Sequence, residues 1–120
     1  MSKILIVEDD EPVRTLAARA LERDGHDVDT AEDGELGLDR IRCLDGGYDL
    51  VVSDIRMPAM DGIEMAKAAA RLYPDLKIML VTGYAEQREQ AADLRDIIVE
   101  VVPKPFTLAQ IREKVRLHTR

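Results

Sequence analysis

Apolar residues fall into five short runs along this chain: KILIV (3 to 7), HDVDTA (26 to 31), YDLVVS (48 to 53), KIMLVT (77 to 82) and IIVEVV (97 to 102). Longer segments of helical period separate them, and that alternation predicts a strand and a helix repeated five times. The first, third, fourth and fifth runs are nearly unbroken in apolar residues, the pattern of parallel strands covered on both faces. HDVDTA is half polar and is expected at an edge. In the first helical segment Pro12 suits a helix start, and Val13, Leu16, Ala17, Ala20 and Leu21 follow on one face until Gly25 closes it. A second runs from about Glu35 to Leu44, before Gly46 and Gly47. A third follows Gly62, with Met65, Ala66, Ala69, Leu72 and Tyr73 on one face, and stops at Pro74. The fourth, about Glu86 to Leu94, is polar and weakly periodic. The fifth opens on a capping box, Thr107 with Gln110, and is expected to turn Leu108, Ile111 and Val115 inward. Right-handed crossovers between parallel strands make this an α/β three-layer αβα sandwich, a doubly wound sheet whose ligands bind outside the carboxyl ends of the strands.

Composition narrows the function classes. The 120 residues are expected to form one domain, 1–120. No apolar run approaches the roughly 20 residues of a membrane span, and no small-residue cleavage site follows the first run, so a cytoplasmic protein is expected, with no membrane contact. A net charge of −7 with scattered Lys and Arg disfavours nucleic acid, whose phosphates require a basic stripe, and suits a cation or a basic partner. The lone cysteine, Cys43, cannot pair internally and reads as packing or plain exposure; His26 and His118 read as solvated surface.

The carboxyl ends of the runs carry the candidate chemistry. The first ends in Glu8, Asp9 and Asp10, the third in Asp54, the fourth in Thr82 and the fifth in Lys104. Each alone has an ordinary reading: Asp10 ahead of Pro12 as a helix cap, Thr82 before Gly83 as a turn residue, Lys104 as a surface lysine. Their convergence from distant segments is the informative fact. Gathering Glu8, Asp9 and Asp54 is unfavourable, because like charges a few Å apart repel, and a hard divalent cation with oxygen ligands offsets this. Mg²⁺, which prefers one or two carboxylates with waters and phosphate oxygens, leads to metal-bound phosphate chemistry.

The stretches VEDD (7 to 10), SDIRMPAMDG (53 to 62), VTGYA (81 to 85) and VPKPF (102 to 106), taken in order, resemble the receiver domain of bacterial two-component response regulators over essentially the whole chain. That resemblance implies the flavodoxin-like, CheY-like (βα)5 fold with strand order 2-1-3-4-5. It assigns Asp54 as acceptor of a phosphoryl group from a phosphohistidine on a histidine kinase or histidine phosphotransfer protein. It further implies that Asp9 binds Mg²⁺ directly, that Glu8 acts through water, and that the backbone carbonyl of Arg56 is a further ligand. Thr82 would bond the phosphoryl oxygen, Lys104 would pair with it, Pro105 would follow through a cis bond, and Pro58 and Gly62 would shape the metal loop. Such a chain is no enzyme apart from catalysing its own phosphorylation and dephosphorylation, by positioning and charge neutralisation.

A phosphoryl group adds nearly two negative charges, and exchanging a neutral hydrogen bond of Thr82 for one to a charged group is worth about 1 kcal/mol. A ten-fold shift of a two-state equilibrium requires about 1.4 kcal/mol, so this contact together with the Lys104 pair is expected to bias the fourth helical segment, the fifth run and the fifth helical segment. Two positions depart from the family. Val101 stands three residues before Lys104, where Tyr or Phe is common, and DIIVEVV lacks the Gly-Ala pair that often precedes the last strand. Tyr84 either gates the site, belongs to a partner surface, or is an ordinary exposed loop residue. The chain stops at His118, Thr119 and Arg120, so a stand-alone receiver acting by protein–protein contact is expected, with a piece of a longer protein as the alternative. The VVPKPF run and the TGYA loop look similar to the CpdR group of alphaproteobacteria, which implies regulation of Clp-type proteolysis, active when unphosphorylated. A phosphorelay shuttle to another histidine protein is the second reading. A small-molecule phosphohydrolase would need an acid two residues after the nucleophile, where Arg56 stands.

Overall fold

The computed structural model describes residues 2–83, 90–91 and 94–119. Five strands, β1 (Lys3–Val7), β2 (Asp27–Ala31), β3 (Leu50–Asp54), β4 (Ile78–Thr82) and β5 (Glu100–Pro103), pair in parallel in the order β2-β1-β3-β4-β5. Four helices are described: α1 (Glu11–Arg23), α2 (Gly34–Cys43), α3 (Gly62–Leu72) and α4 (Leu108–His118). Tyr84 and most of the helical segment expected at 86–94 lie outside the described residues, although Ala91, Leu94 and Ile98 are buried in the core.

Side chains alternate along each strand, so every strand feeds two cores. Ile4, Ile6, Val52 and Val81 meet Ala17 and Leu21 of α1 and Ile111 and Val115 of α4. Leu5, Val7, Val51 and Leu80 meet Leu38 and Ile41 of α2 and Met65, Ala66 and Ala69 of α3. Each Val, Leu, Ile or Met among them contributes about 1.5–3 kcal/mol by leaving water. The helices begin where side-chain oxygens accept otherwise unpaired amides: Asp10, Asp33, Asp61 and Thr107 all cap this way, Thr107 in the expected capping box.

Several expectations need correction. Leu16 is 54% exposed and Leu108 is 42% exposed, although helical spacing put both on inward faces. The buried face of α1 is made by Ala17, Ala18, Ala20 and Leu21, which leaves Leu16 at its margin, and Leu108 is the first residue of its helix. Both leucines line a shallow apolar groove with Val13, Pro105 and Phe106, beside Lys104. Leu72, in the last turn of α3, is exposed as well. β5 begins at Glu100 and forms the second edge, so Val102 is buried while Val101 is half-buried. His118 is not solvated surface: its Nε2 lies 2.8 Å from Glu100 Oε1, and Lys114 pairs with the same carboxylate, pinning the end of α4 to β5. These partners hold the Glu100 carboxyl below its ordinary range against the opposing effect of burial. Cys43 is exposed.

The loop after β3 is shaped by two close approaches. The Gly62 amide donates to the Ile55 carbonyl at 2.8 Å, and a Cβ at Gly62 would lie 2.2 Å from the Asp54 carbonyl oxygen. The Gly34 amide donates to the Met60 carbonyl at 3.0 Å, where a Cβ would again come within 2.2 Å of the oxygen. Gly62→Ala is expected to lower stability by about 2 kcal/mol, because backbone atoms must move to admit the methyl. Urea unfolding checks this, and an unchanged midpoint would show that the loop yields freely.

Candidate functional site

Register brings the acidic residues together. Val7 stands opposite Ser53 across β1 and β3, so the next residues, Glu8 and Asp54, leave the sheet side by side. Asp54 faces Val81, and Thr82 faces Pro103, so Thr82 and Lys104 emerge one step further along the same edge. The Lys104 amide donates to the Thr82 carbonyl at 2.8 Å, which fixes the start of the loop after β5 to the end of β4.

Carboxylate oxygens of Glu8, Asp9 and Asp54 lie within 4.8 Å of one another. Lys104 Nζ donates to Asp54 Oδ2 at 2.9 Å and lies 3.6 Å from Glu8 Oε2. The Ile55 amide donates to Asp54 Oδ1 at 2.8 Å, and the Asp10 amide to Glu8 Oε1 at 3.2 Å. Glu8 is 5% exposed, and burial together with the Asp54 charge pushes its carboxyl up to about 7 despite Lys104. Burial works against the Lys104 ammonium, and its bond to Asp54 with the charges of Asp54 and Glu8 outweighs that and raises it. An open depression over these groups is lined by Glu8, Asp9, Asp10, Asp54, Arg56, Gly83 and Lys104. Three carboxyl groups at this spacing, with the single Lys104 ammonium beside them, fit a hard divalent cation.

The structure thus brings together Glu8, Asp9, Asp54, Arg56 and Lys104, with Thr82 buried at the adjoining strand end. Asp10 lines the same depression without joining the three-carboxylate group, and its side chain caps α1 through the Val13 amide. The Lys104–Pro105 bond is cis, and Val101 packs against the core. Arg14 was not singled out by sequence, yet its guanidinium donates to the Glu8 carbonyl at 2.9 Å. Its place four residues after the capping Asp10 was the available signal.

The profile of the response regulator receiver domain matches residues 4–116. The chain belongs to the response regulator receiver family. This receiver is 35% identical over 115 residues to the response regulator receiver protein CpdR of Brucella abortus, covering 96% of this chain and 94% of CpdR. It is 37% identical over 113 residues to the sensor kinase CckA of the same organism, covering 94% of this chain and 12% of CckA. Among solved structures, the response regulator TrrA of Thermotoga maritima, in complex with Mg²⁺-BeF, superposes on the receiver with a TM-score of 0.86 at 36% identity, over 98% of this chain and 99% of that one. No helix among the described residues is long and apolar enough to cross a membrane.

The position of Glu8 in the receiver makes stability depend on pH. A carboxyl near 7 in the folded state and near its ordinary value when unfolded binds its proton more tightly in the fold, so its contribution falls as pH rises through that interval. In EDTA, Glu8→Gln is expected to match the unaltered receiver near pH 5 and to exceed it by about 2 kcal/mol at pH 8. Urea unfolding at the two pH values measures the difference, and a gap that does not widen would contradict the assignment.

Proposed function

We propose that the chain is the phosphoacceptor of a two-component pathway, with Asp54 as the nucleophile. The juxtaposition of Asp54 with the acidic pair Glu8 and Asp9 on one side and the Lys104 ammonium on the other carries this reading. Glu8, Asp9, Asp54 and the Arg56 backbone carbonyl would hold Mg²⁺, which when bound supplies charge neutralisation for the transferring phosphoryl group. A histidine kinase or histidine phosphotransfer protein would present the phosphohistidine. An Asp54 carboxylate oxygen forms the new P–O bond in line as the P–N bond breaks, and the imidazole keeps that electron pair. Lys104 stabilises charge on the phosphoryl oxygens and Thr82 supplies a hydroxyl donor beside them. Water later attacks the acyl phosphate, so the receiver catalyses both its own modification and its reversal.

The finer reading is output by protein–protein contact. The likeness to CpdR, which extends over nearly the full length of that protein, supports regulation of a Clp-type protease by the unphosphorylated form. The likeness to the sensor kinase CckA supports a second reading, a shuttle passing phosphate to another histidine protein.

Incubation with acetyl phosphate and Mg²⁺, followed by intact-mass and peptide mass spectrometry, is expected to show one phosphoryl group on Asp54 and none in EDTA. Asp54→Asn should take up none. Lys104→Ala should separate the mark from its output, so that capture of a downstream protein no longer responds to phosphorylation. A label on Asp54→Asn would sink the assignment, and label passing readily to a histidine phosphotransfer protein would favour the shuttle.

A further inference from the structure

Arg14 has no part in the chemistry above, yet it reaches the turn that carries two of the three carboxylates. It is half-buried in the first turn of α1, where its amide donates to the Asp10 carbonyl at 2.9 Å and its Nη1 donates to the Glu8 carbonyl at 2.9 Å. That carbonyl belongs to the peptide joining Glu8 to Asp9. A peptide is planar, so fixing the direction of this C=O fixes ψ of Glu8 and φ of Asp9 together. Those two angles decide where both carboxylates leave the chain.

Other hydrogen bonds hold the neighbouring peptides. The Glu8 amide donates to the Ala31 carbonyl at 3.0 Å, anchoring the peptide before, and the Asp10 amide donates to Glu8 Oε1 at 3.2 Å, anchoring the peptide after. The Arg14 guanidinium secures the one between. Its base is firm, because Asp10 caps the first turn of α1 and Pro12 starts the helix without a spare amide.

We infer that Arg14 is a positioning residue for the divalent-cation site: it sets the Glu8–Asp9 peptide so that both carboxylates converge with Asp54. This rests on the reading of Glu8, Asp9 and Asp54 as that site. Orientation and charge predict opposite signs. A cation beside the site repels a bound divalent ion, so if charge were what mattered, removing Arg14 would tighten binding. If orientation matters, removing it weakens binding.

The test is Mg²⁺ affinity of the full chain by isothermal titration calorimetry, with urea unfolding as the check on folding. Arg14→Met keeps an unbranched stem and loses the donor; it is expected to bind Mg²⁺ about ten-fold more weakly, while Arg14→Lys, which keeps a donor of similar reach, stays within about three-fold of the unaltered chain. Should Arg14→Met not fold, Arg14→Gln, whose amide is too short to reach, carries the same expectation as Arg14→Met. Equal or tighter binding by the donorless variant overturns the positioning role. Failure of the unaltered chain to bind Mg²⁺ removes the cation site and this inference with it.

Discussion

Carboxylates of Glu8, Asp9 and Asp54 are held within 4.8 Å of one another, and the arrangement of the surrounding chain follows from having to hold them there. The cost falls on Glu8, the most buried of the three, whose carboxyl is pushed up to about 7 by burial first and the Asp54 charge second. Lys104 relieves part of it through its bond to Asp54 at 2.9 Å and its approach to Glu8 at 3.6 Å. Burying charge is costly unless partners are fixed in place beforehand, so such a site calls for a rigid frame. Central parallel strands supply one.

β1 and β3 are interior strands with both faces packed, and their register leaves Glu8 and Asp54 at the same level. A side chain at the end of such a strand cannot retreat without disturbing the core beneath it, where Ile4, Leu5, Val7, Leu50 and Val51 are fully buried. Loops close the site from the rim. Gly62 lets the start of α3 touch the Asp54 backbone, and Gly34 lets the start of α2 touch Met60 behind it. Hydrophobic packing thus provides the stability, and the acidic edge draws on it.

The strands were legible because unbroken apolar runs are needed on doubly covered β1, β3 and β4, and half-polar HDVDTA marked an edge. The convergence of Glu8, Asp9, Asp54, Thr82 and Lys104 followed from parallel direction alone; strand order did not, and came with the family resemblance. Where expectation failed, the cause was tertiary. Spacing in α1 says that Leu16 lies on the apolar side, but spacing does not say which part of that side the sheet covers, and it covers Ala17, Ala18, Ala20 and Leu21. The IIVEVV run did not disclose that β5 would be an edge. His118 looked like tail until Glu100, eighteen positions earlier, proved to lie under it. The Arg14 contact to Glu8 needed coordinates, since arginines in a first helical turn commonly point to water.

Charge at the acidic edge is coupled to the far side of the sheet through Lys104. Its side chain answers to Asp54 and Glu8, while its backbone is bonded to Thr82 at the end of β4. Under the proposed function, converting the Asp54 carboxylate into an acyl phosphate would move the acceptor for Lys104 outward and add a strong acceptor beside Thr82. Both residues pulled by that change stand at the ends of the β4–β5 pair, and β5 is an edge strand less buried than β3 and β4. Through Glu100 it is tied to Lys114 and His118 of α4. The α2–α3 side has no comparable link to Lys104 among the described ion pairs, and it is wedged by the contacts at Gly34 and Gly62. With Val101 in place of a bulky aromatic, little side-chain volume is available to move there. A response to the proposed phosphorylation would therefore have its least resisted path along β5 and α4, carried by charge and hydrogen bonding more than by repacking.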